Sequence, residues 1–451
     1  MEPPFRAGVA SRPARQAAPR PGGARFFAAG WPHPDGALRA GKGSHRPPAC
    51  TAPSPRVLTT RTSAPRSRET VAQGYGARVI TVQQPPAIEQ PAPYQLSYGT
   101  IAGVAAPGAR RVVVRAAGRA LADLPLRRRR FVVRVELPPG ETAVRVVTFD
   151  AKGRQASTTV GHVYGVSPSA QPRARAPRLD GLLSEDVRHA AAGFGPTSAI
   201  YVENLVSGAG AAWNARATFP AASTLKVAIA VTALARIEGT PRYGSTLDGL
   251  LRRMLVLSDN DAANAVERYY AGSTSGGSAY VNALMRSIGL VDTEMYGGYE
   301  TDTYAFGVER AVAAAIPLRV ERQPFWGSGK KTSAYDLAAL VKSVWLASAG
   351  SGRLRQAQPG FTPGDARYLL YLLAHVLDPG KLDREVGHVP GVRVLHKAGW
   401  ISSSRHDAGI VLWPGGAFVV AVMTYRPSGA GPSSDVLAGR VARLALDRFR
   451  G

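Results

Sequence analysis

Cysteine is all but missing from this chain: Cys50 is the only one in 451 residues. No disulfide framework and no cysteine-type metal site can form. Cys50 lies in RPPACTAP, without the small apolar residues of a lipoprotein site. Long apolar runs are absent too. None approaches the roughly 18 residues that span a bilayer, and FFAAG at 26–30 is too short for the core of a signal peptide. Acidic residues are scarce, with 31 Asp and Glu against 56 Lys and Arg, for a net charge of +25.

That charge is unevenly placed. Residues 1–75 carry 12 basic against 3 acidic residues, 76–178 carry 16 against 5, and 179–451 carry 28 against 23. An arginine excess invites a nucleic-acid reading. Residues 1–75, however, mix Arg with Pro, Ala, Gly and Ser and show no aromatic interleaving, zinc spacing or recognition helix. No nucleic-acid partner is expected, and the segment reads as a disordered basic leader. The run Arg127–Arg130 reads as a loop or strand edge, a solvated cluster that could meet an anionic wall polymer or membrane surface.

From 76 to 166 the pattern changes. RVITV, RRVVVRAAG, FVVRVEL, TAVRVVTFD and STTVGHVYGV alternate apolar with polar residues and are separated by Pro-Gly and Asp-Ala-Lys-Gly turns. Five to seven such strands predict an all-β immunoglobulin-like sandwich. SPSAQPRARAPR, 167–178, reads as a linker. With 45% hydrophobic residues, the remaining 179–451 can bury a large core.

Three segments of 179–451 carry chemistry. FPAASTLKVAIAVTALARI places Ser223 three residues before Lys226, a later loop reads Ser258-Asp259-Asn260 before DAANAV, and a late strand reads VLHKAGW around Lys397. On a helix, positions three apart share a face, so Ser223 and Lys226 meet while Leu225, Val227, Ile229 and Ala230 anchor the helix in the core. A serine hydroxyl is a poor nucleophile until a neighbour takes its proton. Lys226 can take it only if burial and a second cation lower its pKa, and Lys397 is the candidate. Ser258 could alternatively cap the helix that follows.

These motifs resemble those of the class A β-lactamase and penicillin-binding serine hydrolases, over the segment from about Leu179 to the C-terminus. The resemblance implies that Ser223 is acylated, that Ser258 relays a proton to the leaving nitrogen, and that Asn260 bonds Lys226 and the substrate amide. The backbone N–H groups of Ser223 and Trp400 would form the oxyanion hole, with Gly399 allowing close approach. Two features depart from the family. Ala398 stands where a hydroxyl usually holds the substrate carboxylate, and Arg405 or His406 could replace it; His396 reads as an ordinary histidine. The second departure concerns the glutamate that activates water for deacylation. Glu300 in GGYETDTY is the candidate, after Tyr299 as the family's aromatic-Glu pattern implies, but Tyr304 stands where asparagine is expected; Glu294, Glu309 and Glu321 are the fallbacks, each read first as a solvated surface charge.

The expected architecture for 179–451 is α/β, of the β-lactamase and transpeptidase type. An antiparallel sheet from the two ends of the segment is flanked by helices, with an all-helical lobe between. The first helix is expected at about 181–192 and the last at about 434–449. The expected activity is opening of β-lactam amides through an acyl-enzyme on Ser223. The alternatives are a D-Ala-D-Ala peptidase or esterase-like relative that deacylates slowly, or a wall-binding module with a decayed site. No metal or cofactor is expected; the partner is a β-lactam or peptidoglycan-peptide-like small substrate, and the protein is expected to be a monomer. Such chemistry belongs outside the cytoplasmic membrane, so the missing export signal implies a misplaced start, non-standard export or no export.

Overall fold

The last strand of the chain, GAFVVAVMTY, is buried at every position. A strand apolar on both faces must lie between two layers, and the two cores of the segment 179–451 show this. Ala417, Val419, Ala421 and Met423 point into one core with the helical lobe, while Phe418, Val420 and Val422 point into the other. The computed structural model describes residues 84–299, 315–327 and 329–451. The leader, RVITV, Glu300, Tyr304 and Glu309 lie outside them.

The elements run β1 (Ala87–Gln90), β2 (Gln95–Ser97), β3 (Thr100–Val104), β4 (Ala109–Ala116), β5 (Arg119–Pro125), β6 (Arg130–Arg134), β7 (Gly140–Asp150) and β8 (Gln155–Gly165). They form two sheets, in the orders β1-β3-β6 and β2-β8-β7-β4-β5. Ile101, Phe131 and Val133 from the first sheet meet Val112, Val114, Val144, Val146 and Val163 from the second in one core. The linker docks rather than hangs free, because Ser167 and Ser169 both donate to the carbonyl of Pro414.

The second part continues with β9 (Arg178–Leu179), α1 (Gly181–Phe194), β10 (Thr197–Asn204), β11 (Ala209–Trp213), β12 (Phe219–Pro220), α2 (Lys226–Arg236), α3 (Thr246–Val256), α4 (Asn260–Ala271) and α5 (Thr274–Ser287). After these come β13 (Lys331–Thr332), α6 (Ala334–Ala347), α7 (Arg353–Ala357), α8 (Pro363–Leu373), β14 (Arg393–Ile401), β15 (Ser404–Trp413), β16 (Gly416–Tyr425) and α9 (Ser433–Arg450). The main sheet has the order β14-β15-β16-β10-β11-β9. Both ends of the segment thus build one sheet, with α1 and α9 behind it, as its periodicity predicts.

Helix starts follow local chemistry. Asp180, Ser245, Asp259 and Ser333 accept from backbone N–H groups at the starts of α1, α3, α4 and α6, and Thr362 with Asp365 forms a capping box on α8. The helix α2 is KVAIAVTALAR, buried from Lys226 to Leu234, and is the central pillar of the front core. Its first residue is a lysine with no solvent exposure. A buried ammonium needs partners, and these define the site.

Candidate active site

Ser223 lies in a short 3₁₀ turn, Ala222–Leu225, that runs into α2. Ala222 is held in the left-handed region at φ 47°, an uncommon conformation for a residue with a side chain. Edge strand β14 passes against this turn so closely that a Cβ built on Gly399 would lie 2.7 Å from the Ser223 nitrogen and 2.8 Å from that of Thr224. Only glycine fits there. Strand β14 and the start of α2 are thereby held in close contact.

The lysine of α2 reaches across to the loop before α4. Lys226 Nζ donates to the Ser258 carbonyl at 2.5 Å and to Asn260 Oδ1 at 2.6 Å, and lies 3.5 Å from Ser258 Oγ. Lys397 Nζ comes from β14 to the same hydroxyl, at 3.0 Å, and also donates to the Ala398 carbonyl. Two lysines from different elements therefore converge on Ser258 Oγ. Burial pushes Lys397 down to about 8. Ser258 is itself held at φ 59°, a left-handed strain that serine adopts here to turn both its carbonyl and its hydroxyl toward the lysines. It does not cap α4. Asp259 does, accepting from the Ala262 N–H, and that bond together with Arg253 keeps its carboxyl below the usual range.

One wall of the site was not legible beforehand. Asn264, one turn after Asn260, clamps Tyr299 with both ends of its amide, accepting from its N–H at 2.6 Å and donating to its carbonyl at 2.9 Å. The phenol of Tyr299 then donates to the Ala222 carbonyl at 3.0 Å, and its ring lies 4.7 Å from Lys226 Nζ. Burial, with Glu267 nearby, raises this phenol far above its ordinary value, so it stays neutral and cannot act as a base. Glu267 lies behind it without solvent exposure, and burial pushes its carboxyl up to about 8. Beside Ser223, a cleft of about 280 Å³ opens between Ala222, Tyr299, Trp326, Lys330 and Ile401.

Other candidates lie elsewhere. Arg405 is not in the site: its guanidinium pairs with Asp435 at 2.5 Å and donates to the Ala430 carbonyl. Strand alternation is the reason, since Arg405 pairs with Trp400 across the sheet and His406 with Gly399, so Arg405 and His406 face opposite ways. His406 does face Ser223's side but is committed as well. Its Nδ1 accepts from the Thr424 N–H and its Nε2 donates to the Pro220 carbonyl, while burial holds it neutral at about 4. The hydroxyl lost at Ala398 is thus not replaced by either residue. His396 turns to the rear core. Burial opposes its charge, but the Asp407 carboxylate at 2.7 Å outweighs that and raises its pKa. Glu294 is no surface charge: it is 4% exposed and paired with Lys331 at 3.0 Å. Glu321 is exposed. Among the described residues no group of His, Cys, Asp and Glu could hold a metal.

Known proteins resemble parts of this chain. Solved structures similar to the chain include PBP-A, at 21% identity over 62% of this chain and 99% of that one, with a TM-score of 0.47. An ancestral class A β-lactamase is 20% identical, covering 59% and 100%, with a TM-score of 0.45. A class A β-lactamase from Mycobacterium abscessus is 18% identical, covering 60% and 100%, with a TM-score of 0.44. No curated protein matches. The profile described as "Beta-lactamase enzyme family" matches residues 182–243 and 239–449, which is more than half of the sequence, and the chain belongs to that family.

Proposed function

We propose that this protein opens β-lactam amides through an acyl-enzyme on Ser223, and that this acyl-enzyme is long-lived. The observation that carries the reading is the convergence of Lys226 and Lys397 on Ser258 Oγ beside the start of α2. In the reaction, Ser223 Oγ attacks the carbonyl carbon while its proton passes to neutral Lys226. Backbone N–H groups hold the oxyanion as the C–N bond breaks. The leaving nitrogen takes its proton from Ser258 Oγ, which is replenished from Lys226. Lys397 supplies positive potential for a substrate carboxylate.

Hydrolysis of the acyl-enzyme needs a base for water. Among the described residues the group against Lys226 on the loop side is Tyr299, a neutral phenol bonded to Ala222, rather than a carboxylate. This favours slow deacylation, and it supports a D-Ala-D-Ala peptidase or esterase-like enzyme as the second reading. Glu300 is retained as the candidate water base. The β module is read as an immunoglobulin-like sandwich, on its two facing sheets and the parallel pairing of β2 with β8. Arg115 and Arg145, opposite each other on its outer face, suit contact with an anionic wall polymer outside the cytoplasmic membrane.

Burst kinetics with a chromogenic cephalosporin test the proposal. A fast phase of one equivalent should precede a slow steady state, and Glu300→Gln should slow only the second phase. Rapid wild-type turnover without a burst would show that deacylation is not limiting.

A further inference from the structure

The β module and the helical lobe enclose a second cleft, of about 590 Å³, away from Ser223. Its walls come from β1, β2 and β3 on one side and from the turn after α6 and the helix α8 on the other. At its base lies Arg367. The guanidinium donates through Nε to Gln95 Oε1 at 3.2 Å and through Nη1 to the Ser348 carbonyl at 3.0 Å, while Nη2 makes no hydrogen bond among the described residues. Among the described residues no carboxylate lies within 4 Å of it; burial holds its pKa below the ordinary value, against the opposing field of Asp365. A half-buried cation whose nearest opposite charge, Asp365, acts only from a distance keeps a guanidinium donor open to an anionic partner.

Gln95 offers the second open donor. It is 7% exposed, its Oε1 accepts from Arg367, and its Nε2 makes no hydrogen bond among the described residues. The polar lining around these two groups is mainly amide and hydroxyl, from Gln90, Ser97, Thr100, Gln171 and Ser348, and the one carboxylate in the lining, Glu89, is paired with Arg130 at 2.6 Å. Such groups both donate and accept, and match vicinal hydroxyls rather than an aromatic or aliphatic body. The volume falls in the range of small-molecule sites and exceeds what a lone anion fills.

We propose that this cleft binds a saccharide bearing a carboxylate, with the carboxylate on Arg367 and Gln95 Nε2 and the hydroxyls on the surrounding amides. The site exists only where module and lobe meet, which gives the β module a task in recognition. It is independent of acyl transfer, and binding is therefore measured on the full chain carrying Ser223→Ala as well as on the wild type.

Two matched probe pairs decide the matter by calorimetric titration: N-acetylmuramic acid against N-acetylglucosamine, and glucuronate against glucose. Each acid should bind at least about 10-fold more tightly than its neutral partner, the scale of one charge-assisted pair. Gln95→Glu supplies the missing carboxylate from within the protein. It should abolish the acid preference while leaving the thermal midpoint unchanged or higher, which separates loss of binding from loss of fold. Gln171→Ala should weaken both members of each pair. Equal affinity for acid and neutral sugar, an acid preference that survives Gln95→Glu, or no binding of either acid at concentrations on the order of 10 mM overturns the assignment.

Discussion

Replacing Lys397 by methionine should make the protein more stable at neutral pH while removing its chemistry. A fall in the lysine pKa from 10.5 to about 8 corresponds to about 3 kcal/mol held against folding wherever both states are protonated. Methionine removes that cost and fills similar volume. It also removes the bonds to Ser258 Oγ and the Ala398 carbonyl, leaving two acceptors short, at about 1 kcal/mol each. The difference is a gain of about 1 kcal/mol at pH 7, or a rise of about 2 °C in thermal midpoint for a domain of this size.

The pH dependence gives the sharper check. Below about 8 the lysine is charged in both folded and unfolded chains, and its contribution does not change with pH. Between 8 and 10.5 the unfolded chain holds more protons, so wild-type stability gains from this group as pH rises. The methionine variant lacks the gain, and its advantage should vanish near about pH 9 and then reverse. Urea melts of both proteins from pH 7 to 10 read this directly, because the other titrations cancel in the difference. A variant that is less stable at pH 7, or a difference that does not move with pH, refutes the burial argument.

The same proton gives a kinetic signature. Acylation by a carboxylate-bearing β-lactam should fall as pH rises through about 8, when Lys397 loses its charge, and the limb should be missing in Lys397→Met; stopped-flow acylation rates check it. Lys226→Arg keeps charge but cannot accept the serine proton, so acylation should drop by about 10²-fold or more. Tyr299→Glu places a carboxylate where the phenol now lies 4.7 Å from Lys226, and decay of the acyl-enzyme should quicken by about 10²-fold. Unchanged decay would remove position 299 from consideration as a water-activating site.

How much of this could be read from residues alone depends on the element. The strand β14 around VLHKAGW and the helices α1 and α9 declare themselves in the sequence, and the structure places each within a few residues of the expected bounds. β5 does not, because its residues are largely exposed and its pattern is weak. In the site, the spacing of Ser223 and Lys226 and the sequence Ser258-Asp259-Asn260 sufficed to bring their segments together. Arg405 was misread, although strand alternation alone forbids it from sharing a face with His406. Asn264 was one helical turn from Asn260 and legible in principle. Tyr299 was not, since its place depends on a loop whose path is set by long-range clamps from Asn264 and by its own bond to Ala222. The interface cleft was equally hidden, because Gln95 and Arg367 are 272 residues apart.

Acylation of Ser223 is the claim on which the functional reading depends. Time-resolved intact mass spectrometry after mixing with penicillin G, followed by peptide mapping, measures it most directly. The expected result is one adduct of the drug's full mass, located on Ser223, that builds faster than it decays and is absent from Ser223→Ala. An adduct that persists in Ser223→Ala, or a wild-type protein that forms none, contradicts it.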